Sequence, residues 1–220
     1  MKKPEPHSQY TLETCGICCL LMAQQALGLG YATAAKQTAY YRDYGAKATP
    51  GTLGSTIAYV LFMKGIAADK EINVKIVHAP EKLLENRGEN GLPYFPQEKF
   101  EAILAEHKRW LDDAEKLKNV KNRPADSFEC VVGKPFGCAQ LRQELDSGRL
   151  VILQILVEGD YGAHDKVMHW ILLYGHEDGV FRAIDPMPKP VGGRIRISEE
   201  ELAEHMETPF GGCYISVGER

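Results

Sequence analysis

One segment near the start of the chain constrains the fold more than any other. Residues 17–23 carry no polar side chain, and Gly28 supplies a stop shortly after the segment ends. A helix that is apolar on all sides must be surrounded by other elements, because any exposed face would leave apolar side chains in water. The sequence therefore predicts a central buried helix over residues 15–27, with Thr11 or Thr14 capping its start.

The rest of the chain places helices mainly in the first half and strands in the second. The predicted fold class is therefore α+β, with N-terminal helices packed on a C-terminal, mostly antiparallel sheet. We expect a single domain over residues 1–220, with a helical insertion at about 80–135, where the composition changes. The patterns predict helices over residues 52–64, 98–117, 139–147 and 198–206, and strands over 71–78, 150–157, 169–174, 180–184, 194–197 and 213–217.

Charge and hydropathy exclude several classes of protein. The chain of 220 residues has 26 basic and 30 acidic residues, a formal net charge of −4. Proteins whose main partner is nucleic acid or an anionic membrane usually carry a basic excess, so neither is expected. No apolar run approaches the roughly 20 residues that span a bilayer, and no secretory signal is readable. We expect a cytoplasmic protein, or one exported without a classical signal peptide, with a monomer favoured and no cofactor.

The six cysteines have several competing interpretations. A disulfide framework belongs to small secreted chains, which this chain does not resemble. Cys15 and Cys18 have the C-x-x-C spacing of a redox pair or half a zinc site, but a polar loop precedes them and no second clustered pair completes a site. Cys18 and Cys19 fit as small apolar residues in the core. Cys15 remains a candidate nucleophile, provided that the rest of the chain supplies the groups that activate a thiol.

A thiol becomes a strong nucleophile as the thiolate, which a helix N-terminus and a neighbouring imidazolium both favour. Cys15 stands at the predicted helix start. His169 is the preferred imidazole, because a hairpin turn centred near residues 177 and 178 puts Asp185 directly opposite it, with Cβ atoms about 5 Å apart. Pro186 ends the strand and restrains the carboxylate. The pattern thus predicts that Asp185 holds the imidazole of His169.

The other histidines are weaker candidates for such a site. His164 lies in a loop rich in Gly and Asp, and His176 stands at the hairpin tip, where solvent is the expected partner. His78 ends a strand and is interpreted as a structural histidine. The remaining three are assigned to a mobile tail or to polar helical faces: His7, His107 and His205.

Gln9 precedes Cys15 by six residues, on the loop that enters the helix. A side-chain amide at that place can donate a hydrogen bond to a developing oxyanion, beside a backbone N–H at the helix start. By itself a glutamine in a polar loop is usually solvated, so its role depends on the rest of the site.

Two blocks of sequence resemble a known family. Gln9-Tyr10-Thr11-Leu12-Glu13-Thr14-Cys15-Gly16 is similar to the Gln-x5-Cys-Gly entrance of papain-like cysteine peptidases. The C39-like branch, which includes peptidases that cleave leader peptides after double glycine, has a His…Gly…Asp-Pro block. That block is resembled by His169-Trp170-Ile171-Leu172-Leu173-Tyr174-Gly175, followed by Ala183-Ile184-Asp185-Pro186. The resemblance covers about residues 7–30 and 136–217. It departs at Ile17, where C39-like chains often have proline, and no transporter segment is present.

The resemblance implies a papain-like fold and a role for each residue of the site. Cys15 is the nucleophile, His169 the general base and acid, Asp185 the orienting group and Gln9 the oxyanion donor, with no metal and no cofactor. The implied activity is hydrolysis of a peptide or isopeptide bond in a peptide or protein substrate. The same site allows acyl transfer, as in transglutaminase-like or phytochelatin-synthase-like proteins. A non-catalytic papain-like binding module and a redox or zinc protein are the remaining alternatives.

Overall fold

The structure is a computed structural model, and it describes residues 2–47, 49, 51–78, 97–158, 166–188, 192–206 and 212–220. In those residues six α-helices and seven strands are found. The helices are α1 (Cys15–Ala26), α2 (Ala34–Tyr44), α3 (Gly54–Ala67), α4 (Gln97–Val120), α5 (Cys138–Asp146) and α6 (Glu199–Met206). The strands are β1 (Ile72–His78), β2 (Phe128–Val132), β3 (Leu150–Glu158), β4 (Lys166–Glu177), β5 (Val180–Asp185), β6 (Gly193–Ser198) and β7 (Cys213–Glu219).

The strands form one sheet with the order β2-β1-β7-β3-β4-β5-β6. Every neighbouring pair is antiparallel except β1 and β2, which run parallel at one edge. The predicted α+β class, with helices packed on a mostly antiparallel sheet, is confirmed. The C-terminal strand β7 lies between β1 and β3. It therefore connects the β1–β2 edge of the sheet to the strands β3 to β6.

Helices cover both faces of the sheet, and α1 lies in the core, as its apolar sequence predicts. Successive residues of β3 alternate between two clusters: Ile152 packs in the cluster of α1 and α3, whereas Val151 packs in the cluster that contains Leu141 of α5 and Leu202 of α6. Side chains Ile17 to Ala23 of α1 are fully buried. Among the described residues, no helix is long and apolar enough to cross a membrane.

Several elements differ from the sequence predictions. A 3-10 turn over Leu12–Thr14 precedes α1, and no side chain caps either the turn or the helix, because the Thr14 hydroxyl donates to Thr11 O instead. Helix α2 was not predicted, since its sequence is polar and aromatic and only Gln37 is buried.

The segment predicted as an insertion at about 80–135 lies partly outside the described residues, since 79–96 are not among them. Of its described part, α4 packs against α3, and β2 joins the sheet beside β1. Whether the segment is an insertion stays a prediction.

Candidate active site

Cys15 is the first residue of α1 and is buried, with 5% of its surface exposed. Its place follows from the sequence around Gly16. A Cβ atom at position 16 would lie 3.0 Å from Thr52 Cβ, 3.1 Å from Trp170 Cδ1 and 3.2 Å from Ile57 Cδ1. The absence of a side chain at Gly16 therefore lets the first turn of α1 approach both α3 and strand β4, which carries His169.

His169 lies on β4 and is buried, with 6% of its surface exposed. Its Nε2 is 2.8 Å from Oδ1 of Asp185, the last residue of β5. The same carboxylate oxygen accepts a hydrogen bond from the backbone N–H of Met187, also at 2.8 Å. Two donors therefore hold one oxygen of Asp185, and the position of the carboxylate is fixed from the strand and from the turn that follows it.

The strand register that predicted this contact is wrong. The hairpin turn is centred on Asp178 and Gly179, both at positive φ, and a bulge lies between Leu173 and Gly175. Leu172 pairs with Ile184, so an unbroken ladder puts Asp185 opposite the residue at 171 and diagonal to His169. The contact forms nonetheless, because a carboxylate reaches a ring two residues along the neighbouring strand.

The Cys15 thiol lies beside the imidazole of His169, so the three side chains stand in the order Cys15, His169, Asp185. Since Asp185 engages Nε2, the nitrogen left for Cys15 is Nδ1. Burial lowers the pKa of His169, but the hydrogen bonds to Asp185 and Cys15, together with their negative charges, outweigh it and raise the pKa to about 9. At neutral pH the imidazole of His169 is therefore protonated, and it can give its proton to a leaving group.

Gln9 is buried, with 4% of its surface exposed, rather than solvated in its loop. Its backbone N–H donates to Pro186 O at 2.7 Å, and its side-chain Nε2 lies 3.1 Å from the sulfur of Met187. Its Oε1 has no hydrogen-bond partner among the described residues. The loop that leads into α1 is thus joined to the turn that follows Asp185.

The other cysteines are not part of this site, although Cys130 Sγ also lies beside an imidazole, 3.4 Å from His78 Nε2. All six are free thiols. Burial raises the pKa of Cys18, Cys19 and Cys213 far above the ordinary value, and burial together with nearby acids raises that of Cys130 to about 11. Cys19 donates to Trp170 O at 3.4 Å, as a packed core residue does. In the described part of the chain, no group of three or more His, Cys, Asp or Glu side chains is placed to hold a metal ion.

Four of the other histidines differ from their predicted surroundings. His205 of α6 is not on a solvated polar face, since its Nδ1 lies 2.9 Å from Leu156 O of β3. His176 does not point to solvent, because its Nε2 lies 3.0 Å from Glu199 Oε1 and its ring lies against Phe181. His107 is not on a polar face, since its Nε2 lies 3.0 Å from His78 Nδ1. His7 is half-buried and hydrogen-bonded rather than part of a mobile tail. His78 is buried at the end of β1, as predicted, and His164 lies outside the described residues.

Met187 belongs to the site, and the sequence analysis missed it. A turn in which an Asp side chain accepts the N–H two residues on is a recognised pattern, and Asp-Pro favours turn formation. That signal predicts the bond from Met187 N–H to Asp185. Nothing in the sequence indicates the contact between the Met187 sulfur and Gln9, which depends on the tertiary fold.

Nine chains of solved structures are similar to this chain, among them two peptidase structures. No family model and no curated protein sequence matches the chain. The peptidase domain of ComA from Streptococcus, a bifunctional ABC transporter involved in a quorum-sensing pathway, aligns over 99% of this chain and all of its own length, with 13% identity and a TM-score of 0.46. A Bacillus anthracis protein described as a C39-like peptidase aligns over 100% of this chain and 99% of its own, with 10% identity and a TM-score of 0.48. The likeness to these peptidase structures concerns the fold.

Proposed function

We propose that this protein is a cysteine peptidase that hydrolyses a peptide or isopeptide bond through an acyl-enzyme. The observation that carries the proposal is the buried imidazole of His169, which lies beside the Cys15 thiol and has its Nε2 2.8 Å from Asp185 Oδ1. A nucleophile, a base beside it and a group that orients the base are the elements of thiol catalysis.

The reaction begins from the thiolate of Cys15 and the imidazolium of His169. The sulfur attacks the substrate carbonyl carbon, and the carbonyl oxygen takes up the electron pair. The side-chain amide of Gln9 and a backbone N–H at the start of α1 donate hydrogen bonds to that oxyanion, and the unpaired N–H groups of a helix N-terminus suit the same charge. Asp185 keeps the ring of His169 in the orientation that serves the sulfur.

The tetrahedral intermediate then collapses. The C–N bond breaks, His169 transfers its proton to the leaving amine, and the acyl group stays on the sulfur as a thioester. A water molecule gives a proton to the neutral imidazole and attacks the thioester, which releases the acid and restores the thiolate and the imidazolium. When an amine or thiol takes the place of water, the same intermediate gives acyl transfer.

The test uses a library of synthetic peptides incubated with the purified protein, with new termini identified by mass spectrometry. We expect cleavage by the wild type and none by Cys15→Ala, because no other cysteine contacts His169. Cys138→Ala is the matched control, since Cys138 is half-buried near Glu199 and is not part of the site. Equal cleavage by Cys15→Ala contradicts the proposal.

A second measurement separates hydrolysis from acyl transfer. The small ester p-nitrophenyl acetate acylates a reactive thiol, and mass spectrometry of the intact protein detects the acetyl group on Cys15. Addition of an amine such as glycinamide to this reaction tests for acyl transfer. If most of the acetyl group appears on the amine rather than as acetate at modest amine concentration, transfer is the activity; otherwise water is the acceptor.

A further inference from the structure

The side chain of Gln9 is oriented by a single hydrogen bond. Among the described residues, its amide has the sulfur of Met187 as its partner, at 3.1 Å from Nε2, and its Oε1 has none. A thioether has lone pairs but no hydrogen, so it accepts and never donates. The contact with Met187 therefore selects the rotation of the amide in which the NH₂ group, rather than the oxygen, faces the sulfur.

A weak acceptor suits this place. A carboxylate or carbonyl would bind the amide strongly and compete with the oxyanion for its hydrogens, whereas a thioether sulfur accepts weakly. The NH₂ group carries two hydrogens, and one contact with the sulfur leaves the second for a substrate oxygen. Met187 thus orients the Gln9 amide and leaves one of its two hydrogens available for the substrate oxygen.

Met187 is itself held in place on both sides. Its N–H donates to Asp185 Oδ1 at 2.8 Å, and Pro186 before it accepts from Gln9 N–H at 2.7 Å. On the other side, a Cβ atom at Gly192 would collide with Met187 O and would lie 2.8 Å from Met187 Cα. Only a residue without a side chain allows the chain at position 192 to lie against the Met187 backbone.

We propose that Met187 is a positioning residue, which aims the Gln9 amide at the oxyanion while its backbone secures Asp185. The inference rests on the proposed function, because it assumes that an oxyanion forms at Cys15. The residue acts through its neighbours and does not itself contact the reacting atoms.

The test is a double-mutant cycle with Gln9→Ala, Met187→Leu and the two combined. Leucine keeps the volume and the backbone N–H but removes the sulfur. The probe is p-nitrophenyl acetate, and the quantity is the rate constant for acetylation of Cys15. Loss of an oxyanion donor costs about 100-fold or more, so we expect a loss of that order for Gln9→Ala and about tenfold for Met187→Leu. The double variant should be no slower than Gln9→Ala alone.

Alkylation of Cys15 by iodoacetamide separates positioning from general damage. Alkylation displaces iodide at a saturated carbon and forms no oxyanion, so it reports the thiolate alone. We expect Met187→Leu to keep the wild-type alkylation rate, its pH profile and the wild-type melting temperature. Met63 is a half-buried methionine of α3, and Met63→Leu is the control for replacing a methionine by leucine outside the site.

The outcomes distinguish the two proposals. If the wild type is acetylated and Met187→Leu reacts as fast, or if the losses from Gln9→Ala and Met187→Leu multiply in the double variant, the role of Met187 is refuted while the proposed function stands. A parallel loss in the alkylation rate shows a structural role and also refutes positioning. If the wild type is not acetylated at Cys15, the proposed function fails, and the role of Met187 fails with it.

Discussion

Nε2 of His169 lies 2.8 Å from Oδ1 of Asp185, although the two residues are diagonal rather than opposite in the β4–β5 pair. The carboxylate reaches the ring because its own position is set by the turn that follows β5, where Met187 N–H donates to the same oxygen. The imidazole is therefore held by a group whose orientation does not depend on the strand register alone.

Asp185→Asn should lower the pKa of His169. The asparagine oxygen still accepts a hydrogen bond, but the negative charge that favours the imidazolium is gone. Because the wild-type pKa is raised to about 9, the imidazolium persists above neutral pH and is lost as the pH rises through that value. In the variant the loss occurs at lower pH, and so does the alkaline decline of peptide cleavage. NMR titration of the histidine ring signals measures the shift directly.

A control variant is needed to assign the NMR signal of the His169 ring. His176→Gln removes another histidine that lies beside an acid, Glu199, and leaves the site untouched. A signal with a midpoint near pH 9 that survives in this variant and moves in Asp185→Asn belongs to His169. An unchanged midpoint in Asp185→Asn would show that Asp185 does not set the protonation of the ring.

The order in which the thiols react should follow their surroundings. Cys15 should react first with substoichiometric iodoacetamide near pH 7.5, because it stands at the start of α1 beside the imidazole of His169. Burial raises the pKa of Cys130 to about 11 and also raises that of Cys138, so both react more slowly. Peptide mapping of the labelled protein gives the order. Faster labelling of Cys130 than of Cys15 would remove the basis for an activated thiol.

Much of the fold could be predicted because the decisive patterns are local. The apolar residues 17–23 and the stop at Gly28 fix a buried helix, and the structure begins that helix at Cys15. The Asp178-Gly179 pair likewise marks the hairpin, since both residues have the positive φ that such a turn needs. Fold class follows from the order of these elements.

What could not be predicted depends on contacts between distant segments. The bulge between Leu173 and Gly175 shifts the register. A glycine inside a strand is a local signal for a bulge, but it does not specify which residues pair beyond it. Placement of β7 in the middle of the sheet is a long-range pairing, and the contact of Gln9 with Met187 spans almost the whole chain. A sequence pattern shows which residues can do chemistry, but not which neighbour orients each of them.

Glu144 should stabilise the fold without affecting the site. This buried carboxylate of α5 lies 3.0 Å from Lys75 Nζ and 3.2 Å from Arg149 Nε, and it accepts a hydrogen bond from Ser216 at 2.7 Å. Removal of one partner from such a buried network leaves uncompensated charge, so Glu144→Ala should lower the free energy of unfolding by about 3 kcal/mol. Urea unfolding measures this loss, and Cys15 alkylation should be unchanged.

The loss of stability caused by Glu144→Ala should depend on pH. Burial raises the pKa of Glu144, but the bonds from Ser216 and Lys75 and the charge of Arg149 outweigh it, so the net shift is downward. A carboxyl group with a lowered pKa stabilises the fold above its unfolded pKa, and the contribution disappears as the pH falls through the folded value. The difference between the wild type and Glu144→Ala should therefore shrink in acid. Glu129→Ala, an exposed acid of β2, should show no such difference.

Gly16→Ala should weaken the contact between Cys15 and His169. The added Cβ atom would lie 3.0 Å from Thr52 Cβ and 3.1 Å from Trp170 Cδ1, and both neighbours are buried. Overpacking of this kind costs about 1–3 kcal/mol, which exceeds the roughly 1 kcal/mol that alanine gains over glycine inside a helix. The first turn of α1 must then move away from β4, so Cys15 alkylation at neutral pH should slow together with the loss of stability. Gly175→Ala on β4 is the matched control, because its Cβ atom would meet only Arg182 Cδ, at 3.7 Å. Unchanged Cys15 reactivity in a destabilised Gly16→Ala protein would show that the close approach at Gly16 serves packing alone.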